Sequence, residues 1–233
     1  MAHLINEIFD RTICINLVNR KDKKDITQAK FDNLGIQVEW YKAIQYGFLP
    51  NIVNAITDAK VAHFNVSQPY EMGCALSHYS VIKQALEEGV EKLFVFEDDV
   101  CFHKNFNEKF EKSYDALPKD WDMFLLYAFQ HELFPENIRI NSRWMRAFRS
   151  WSLMSYGMNR RIMKSYIKRQ DEFFSISDMV TWRMQNEKDY NIYVSIPSLV
   201  VPNPTLESNI RSVKNYQNNI TITNLGVSAS EYI

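Results

Sequence analysis

Short apolar runs and helix-spaced apolar stripes take turns along the first half of the chain. Residues 12–17 (TICINL) predict a first strand, with Asn16 breaking the apolar run near its carboxyl end. Residues 26–34 predict a helix stopped by Gly35, because a left-handed residue after the last turn favours glycine. Residues 36–41 predict a second strand. A strand–helix–strand opening of this kind builds parallel sheets. From Cys74 onward, Ala75, Tyr79, Ile82 and Leu86 follow helical spacing up to a stop at Gly89. Residues 93–96 (LFVF) are apolar at every position, as a central strand covered on both faces must be.

The second half reads less regularly. Residues 101–117 predict a loose helix, 122–127 (DMFLLY) a strand and 129–144 an irregular segment. Residues 147–158 predict strand and turn, and 160–168 a basic helix. A further helix over 177–182 would be capped by Ser177 or Asp178. Residues 191–201 form a β-rich run with Pro197 at a kink or edge. Two stretches resist this reading. Residues 42–70 hold Gly47, Pro50 and Pro69 and show a helix candidate only at 52–59, an excursion that could close over a ligand. The tail from Asn203 is rich in Asn, Ser and Thr and reads as irregular.

Composition narrows the function classes. The 233 residues, 46% hydrophobic, suit one large domain or a core domain with an appended lobe. A net charge of -1 offers no footprint for nucleic acid or for a polybasic membrane contact. Only 6 glycines are present, in neither a G-x-G-x-x-G nor a P-loop pattern, which argues against a dinucleotide fold and a Walker site. There is no G-x-S-x-G elbow and no H-E-x-x-H, and His63, His103 and His131 show no paired ligand spacing. Cys14, Cys74 and Cys101 are widely separated and odd in number, as suits a reducing compartment, and each reads as a small buried hydrophobe. No basic-then-apolar leader, no 18-residue apolar stretch and no retention tail is seen. The expectation is a cytoplasmic protein of a bacterial cell or a virus-infected host, with peripheral contact at the inner membrane left open.

The chemistry should lie at the carboxyl end of the 93–96 strand, where open α/β sheets bind ligands. Glu97, Asp98 and Asp99 follow it directly. Three adjacent carboxylates repel one another unless water, a cation or a base neutralises them. A hard divalent metal shared with substrate phosphates would do so; the plain alternative is that Asp98 or Asp99 caps a helix starting near Val100. Residues 16–22 (NLVNRKD) make a donor-rich loop after the first strand, suited to a base, a ribose or a phosphate, or else a solvated turn. Arg20 brings a planar, always-charged guanidinium. Residues 71–78 (EMGCALSH) place Ser77 and His78 one turn into a helix whose start donates N–H groups to anions. His78 reads equally as a core histidine, since Cys74, Val81, Ile82 and Ala85 share its face. Asp178 reads as a general base or an N-cap. Arg160 and Arg161 read as an anionic-acceptor contact or a covered helix face.

Taken together, Ile15-Asn16-Leu17 with Arg20 and Asp22, Gly73-Cys74-Ala75-Leu76-Ser77-His78, and Glu97-Asp98-Asp99 resemble glycosyltransferase family 25. This is the family of lipooligosaccharide-sugar transferases and collagen galactosyltransferases. Weaker matches are Trp121-Asp122, Ser155-Tyr156-Gly157-Met158, Asp178, and Pro197 to Val201 followed by Ser208-Asn209-Ile210, so the likeness covers roughly residues 12–211. The resemblance implies a GT-A fold, a Rossmann-like α/β/α sandwich with a mostly parallel central sheet, in one catalytic domain over 1–233. Residues 11–128 would bind the nucleotide-sugar and 129–211 the acceptor, with 212–233 an irregular tail. It implies a UDP-sugar donor carrying galactose, glucose or an N-acetylhexosamine, Mn²⁺ or Mg²⁺, and inverting transfer to a glycan, lipooligosaccharide or hydroxylysine-peptide acceptor. Asp99 would bind the metal directly. Glu97 would meet the metal, a metal-bound water or the ribose, and Asp98 would support them. Ile15, Asn16, Leu17 and Arg20 would contact the nucleotide. Ser77 and His78 would line its pocket or orient the acids, and Asp178 would be the base. The chain departs from the family pattern at Pro202, in place of Gln, and at Asn209, in place of Asp. These departures motivate an alternative, a weakly active or inactive member that binds a nucleotide-sugar or glycan. A metal-dependent phosphohydrolase or nucleotidyltransferase using the same carboxylates is the other competing class.

Overall fold

The computed structural model describes residues 3–45, 69–130, 138–172, 174–187, 189–206 and 229–233. The helix candidate at 52–59, most of the excursion around it, His63, His131, Asn209 and most of the tail lie outside these residues.

A short helix, α1 (Leu4–Ile8), precedes β1 (Arg11–Asn16), α2 (Lys21–Leu34) and β2 (Glu39–Lys42). Gly35 ends α2 at φ +76°, the left-handed cap expected from the sequence. The chain continues through α3 (Pro69–Glu87), β3 (Lys92–Glu97), β4 (Val100–Phe102), α4 (Phe106–Asp115) and β5 (Met123–Leu125). Then come β6 (Phe129–Gln130), β7 (Trp144–Arg146), β8 (Ser150–Trp151), β9 (Ser155–Asn159), α5 (Arg160–Glu172), α6 (Ser177–Gln185), β10 (Ile192–Ser195) and β11 (Val200–Pro202).

One seven-stranded sheet has the order β2-β1-β3-β9-β5-β10-β7. The pairs β1–β2, β1–β3 and β5–β10 are parallel, while β9 runs against both β3 and β5, and β7 against β10. Five of the seven strands therefore point the same way, and their carboxyl ends share one edge. Alternation along each strand sorts the side chains onto two faces. Ile13, Ile15, Leu93, Val95, Met123, Leu125, Ile192 and Val194 meet α3, α5 and α6 through Val81, Ile82, Ile162, Tyr166 and Met184. Cys14, Phe94, Phe96 and Phe124 face the other way, against Phe31 of α2 and Phe106 and Phe110 of α4. Burial on both faces is the reason that residues 93–96 are apolar throughout. The result is an α/β/α sandwich around a mixed seven-stranded sheet.

The second face is built from rings. Phe94 and Phe96 lie 4.7 Å apart between centroids, Phe9 meets Phe94 edge-on at 4.9 Å, and Phe124 meets Trp144 edge-on at 5.5 Å. Such pairs add about 0.5–1.5 kcal/mol each beyond their buried area. Gly157 of β9 makes room for them: a Cβ there would sit 2.7 Å from Phe124 Cζ and 2.9 Å from Phe9 Cζ.

Four expectations change. The helix after β1 starts at Lys21 rather than at 26, so the charged run 21–25 is helical and carries the buried series Lys23, Thr27, Phe31. No helix begins at Val100; β4 pairs there with β11, so neither Asp98 nor Asp99 is a helix cap. α3 begins at Pro69, which puts Ser77 and His78 deep in the helix rather than one turn from its start. The N-cap of α6 is Ile176, with no side-chain cap, so neither Ser177 nor Asp178 fills that position. The described end of the tail is a 3-10 turn at Ala229–Glu231, after which Ile233 exchanges backbone hydrogen bonds with Phe102. Among the described residues, no helix is long and apolar enough to cross a membrane.

Candidate active site

β3 ends at Glu97, and the turn that follows presents Asp98 and Asp99 at the edge where β1 also ends. The three carboxylates part company there. Asp98 is enclosed: Oδ2 accepts from Asn16 Nδ2 at 2.7 Å, Oδ1 lies 3.4 Å from Lys23 Nζ, and its carbonyl accepts from Thr27 Oγ1 at 2.6 Å. Asp99 Oδ2 accepts from Lys23 Nζ at 3.1 Å, and its carbonyl accepts from Asn203 N at 2.7 Å. Asp99 Oδ1 is buried with no hydrogen-bond partner. Glu97 turns to the other side, its Oε1 3.1 Å from His78 Nε2 and 3.7 Å from Cys74 Sγ. The His78 Nδ1 lies 2.9 Å from the Tyr156 hydroxyl on β9.

Lys23 is the base that the acidic triplet needs. Its side chain is only 2% exposed. Burial works against its charge, yet the carboxylates of Asp99 and Asp98 more than offset this and hold its pKa above the usual value. For the acids burial dominates. It pushes Asp98 up to about 6, with Lys23 opposing, and it raises Asp99, where Lys23 opposes and the charge of Glu97 adds. Burial would raise Glu97 as well, but the hydrogen bond and charge of His78, with Lys23, carry it below the usual carboxylate value.

The other expected residues fall into place unevenly. Ile15 is a core residue of the β1 face toward α3. Ser77 is fully engaged: Oγ donates to the Gly73 carbonyl at 2.7 Å and accepts from Ile44 N at 2.8 Å, tying α3 to the segment after β2. Leu17 and Arg20 close the turn after β1, with Arg20 N donating to the Leu17 carbonyl at 2.8 Å. The Arg20 guanidinium grips Asp22 through Nε–Oδ1 at 3.0 Å and a second N–H at 2.9 Å, which lowers Asp22 to about 2. Asp178 lies in the first turn of α6, which packs on α3. Its charge reaches the Cys74 thiol and the Tyr156 hydroxyl, both raised first by burial. The charges of Asp178 and Glu97 thus both act on Cys74 and Tyr156. Arg160 and Arg161 brace the fold: Arg160 donates to the Val90 carbonyl at 2.9 Å, and Arg161 to Asp122 and the Asp189 carbonyl.

An open groove of about 470 Å³ lies beside this edge, lined by Asn16, Val18, Lys21, Lys24, Asp25, Trp40, Tyr41 and Lys42. Lys24 sits over the Trp40 ring at 5.0 Å from its centroid. Rings beside ammonium groups suit a flat base with attached anionic groups. Trp40, Tyr41 and Lys24 were not singled out by motif; the signal available was their place at the ends of β2 and α2.

By donor chemistry, Asp99 Oδ1 and the outer oxygen of Glu97 are the carboxylate atoms left for a hard divalent cation, although the Glu97 side chain turns toward His78 and Cys74. Asp99 Oδ1 is an unsatisfied buried acceptor, and the Glu97 side chain is 32% exposed. Asp98 fits less well, because Asn16 and Lys23 already occupy its oxygens.

Fold and edge together define an α/β protein with an open groove beside an acidic strand end. Residues 9–175 match Glycosyltransferase family 25 (LPS biosynthesis protein), and the chain belongs to that family. It is similar to procollagen galactosyltransferase 2 of Homo sapiens, 30% identical over 135 residues, which are 51% of this chain and 20% of that protein. It is also similar to the inactive glycosyltransferase 25 family member 3 of Homo sapiens, 30% identical over 140 residues, 55% and 23% of the two chains. A putative glycosyltransferase of Acanthamoeba polyphaga mimivirus is 31% identical over 118 residues, 50% of this chain and 36% of that one. The chain spans about a fifth of the length of the first two relatives. Among solved structures, a glycosyltransferase involved in the glycosylation of the major capsid of PBCV-1 aligns at a TM-score of 0.36 and 9% identity, over 78% of this chain and 69% of that one.

Proposed function

We propose that this chain transfers a sugar from a UDP-linked donor to a hydroxyl of a glycan or hydroxylysine acceptor, with inversion at the sugar carbon and with help from Mn²⁺ or Mg²⁺. The observation that carries the reading is the unsatisfied Asp99 Oδ1 at the strand edge, on the side where Asn16 joins the Trp40–Lys24 groove. The uracil would lie against Trp40 and Tyr41, and Lys21, Lys24 and Lys42 would face the diphosphate. Asp99 and Glu97 would hold the cation, which when bound supplies Lewis-acid neutralisation of the departing diphosphate. Asp98, locked by Asn16 and Lys23, keeps the turn rigid. Asp178 would accept the acceptor hydroxyl proton as the new bond to the sugar carbon forms and the bond to the diphosphate oxygen breaks. The donor sugar and the acceptor are left as classes.

A second reading, a binding protein with little turnover, is favoured by Lys23, which already supplies a positive charge to Asp98 and Asp99. A panel of UDP-sugars and acceptors, assayed for UDP release and glycosylated product, separates the two. Acceptor-dependent UDP release supports transfer. Release of phosphate or pyrophosphate in place of UDP points to hydrolase or nucleotidyl chemistry, and binding without product supports the second reading.

A further inference from the structure

A second set of donors stands behind the acidic edge, and hydrogen bonding alone does not exhaust it. Cys74 and His78 are one turn apart on α3 and both aim at Glu97. One ligand atom from each, Cys74 Sγ, His78 Nε2 and a Glu97 oxygen, falls within 4.8 Å of the others. Tetrahedral bonds of about 2.0–2.3 Å place neighbouring ligand atoms roughly 3–4 Å apart, so little movement is needed to enclose an ion. We propose that Cys74, His78 and Glu97 form a site for a thiophilic divalent cation of the zinc class, with the fourth position open.

The donor set decides the class. Sulfur and imidazole favour Zn²⁺ or Co²⁺ over Mg²⁺ and Mn²⁺, whereas the carboxylates at Asp99 favour the hard ions. The second shell is also present. The Tyr156 hydroxyl, 2.9 Å from His78 Nδ1, serves either tautomer. It donates to Nδ1 when Nε2 carries the proton toward Glu97. It accepts from Nδ1–H when Nε2 is given to a metal, and this outer hydrogen bond orients a ligating histidine. On coordination the Cys74 thiol proton leaves to solvent as the metal–sulfur bond forms. The partial exposure of Glu97 gives an ion its way in. Because Glu97 also belongs to the proposed transfer site, a zinc-class ion would draw it away and inhibit transfer; that consequence rests on the proposed function, whereas the binding itself does not.

The test is titration of the full chain with Co²⁺, read by the near-ultraviolet thiolate-to-cobalt absorption, with circular dichroism of every variant as the folding check. The site predicts a band that saturates at one ion per chain and is abolished by Zn²⁺ but not by excess Mg²⁺. It predicts loss of the band in Cys74→Ser, its survival in Cys101→Ser, and affinity about 10- to 100-fold weaker in Tyr156→Phe. Glu97→Gln, which leaves both helix donors in place, should weaken binding too. No band in the native chain, a band that survives Cys74→Ser, or displacement by Mg²⁺ at equal concentration overturns the site. None of these outcomes depends on sugar transfer, so failure here leaves the transferase reading to its own assay.

Discussion

Lys23 Nζ lies 3.1 Å from Asp99 Oδ2 inside the protein, with the lysine side chain 2% exposed and the aspartate 11%. The same ammonium is 3.4 Å from Asp98 Oδ1. A surface-looking charge run thus supplies the counter-charge for the acidic edge. Lys23→Met would leave two buried carboxylates uncompensated. Breaking a buried pair by removing one partner costs about 3–5 kcal/mol, and that loss is expected in urea denaturation at neutral pH. Because burial raises Asp98 to about 6 and raises Asp99 as well, part of the loss should return as the pH falls through about 6, where protonation begins to relieve the repulsion. Equal destabilisation above and below that pH would contradict the charge account.

Gly157 tests the ring-packed face. Gly157→Ala puts a methyl 2.7 Å from the Phe124 ring and 2.9 Å from Phe9, both confined by neighbouring rings. Overpacking of this kind costs about 1–3 kcal/mol, to be read as a lower denaturation midpoint. An unchanged midpoint would mean that the rings shift more easily than their contacts imply.

His3 gives a separate pH dependence. Its Nδ1 accepts from Ile5 N at 3.0 Å, capping α1, while Nε2 faces Asn107 Oδ1 at 3.1 Å. Burial holds its pKa below the usual 6.5 against the opposing pull of Asn107. The unfolded chain then takes up the proton more readily than the folded one. The stabilisation is complete above about pH 6.5 and is lost as the pH falls below it. The difference in stability between native chain and His3→Gln should therefore shrink on acidification. A difference that grows would contradict a neutral capping imidazole.

Asp178 carries the proposed proton transfer. Asp178→Asn is expected to lower turnover by about 10²–10⁴-fold, the usual worth of a general base, with UDP affinity unchanged. A fall in UDP affinity with turnover preserved would move Asp178 from the acceptor side to the nucleotide side.

Much of this was legible in the sequence, and the gaps have definite causes. β1 and β3 were readable because both of their faces are covered, leaving residues 13–15 and 93–96 without a polar position. Gly35 and Gly89, at φ +76° and +82°, marked their helix ends because a left-handed residue was needed there. The start of α2 was hidden by its charges: Lys23 is buried only because Asp98 and Asp99, 75 and 76 residues away, meet it. The spacing Lys23–Thr27–Phe31 did carry that signal, a lysine on the stripe that ends in a core ring. Cys74 read as a small hydrophobe, and only the fold sets its sulfur beside Glu97. Tyr156 was part of a weak motif match, but its bond to His78 needed β9 to run antiparallel beside β3. Ser77 was expected to line the nucleotide pocket or orient the acids, and its bonds to Gly73 and Ile44 were hidden because the start of α3 was not legible.

The central claim is that Asp99 and Glu97 hold a divalent cation for a UDP-linked donor. Its most direct test is calorimetric titration of UDP with and without Mn²⁺, on the native chain and on Asp99→Ala. The account predicts binding that is strengthened by Mn²⁺ in the native chain, with that gain lost in Asp99→Ala. UDP binding that is equal with and without Mn²⁺, and unchanged in Asp99→Ala, would contradict it.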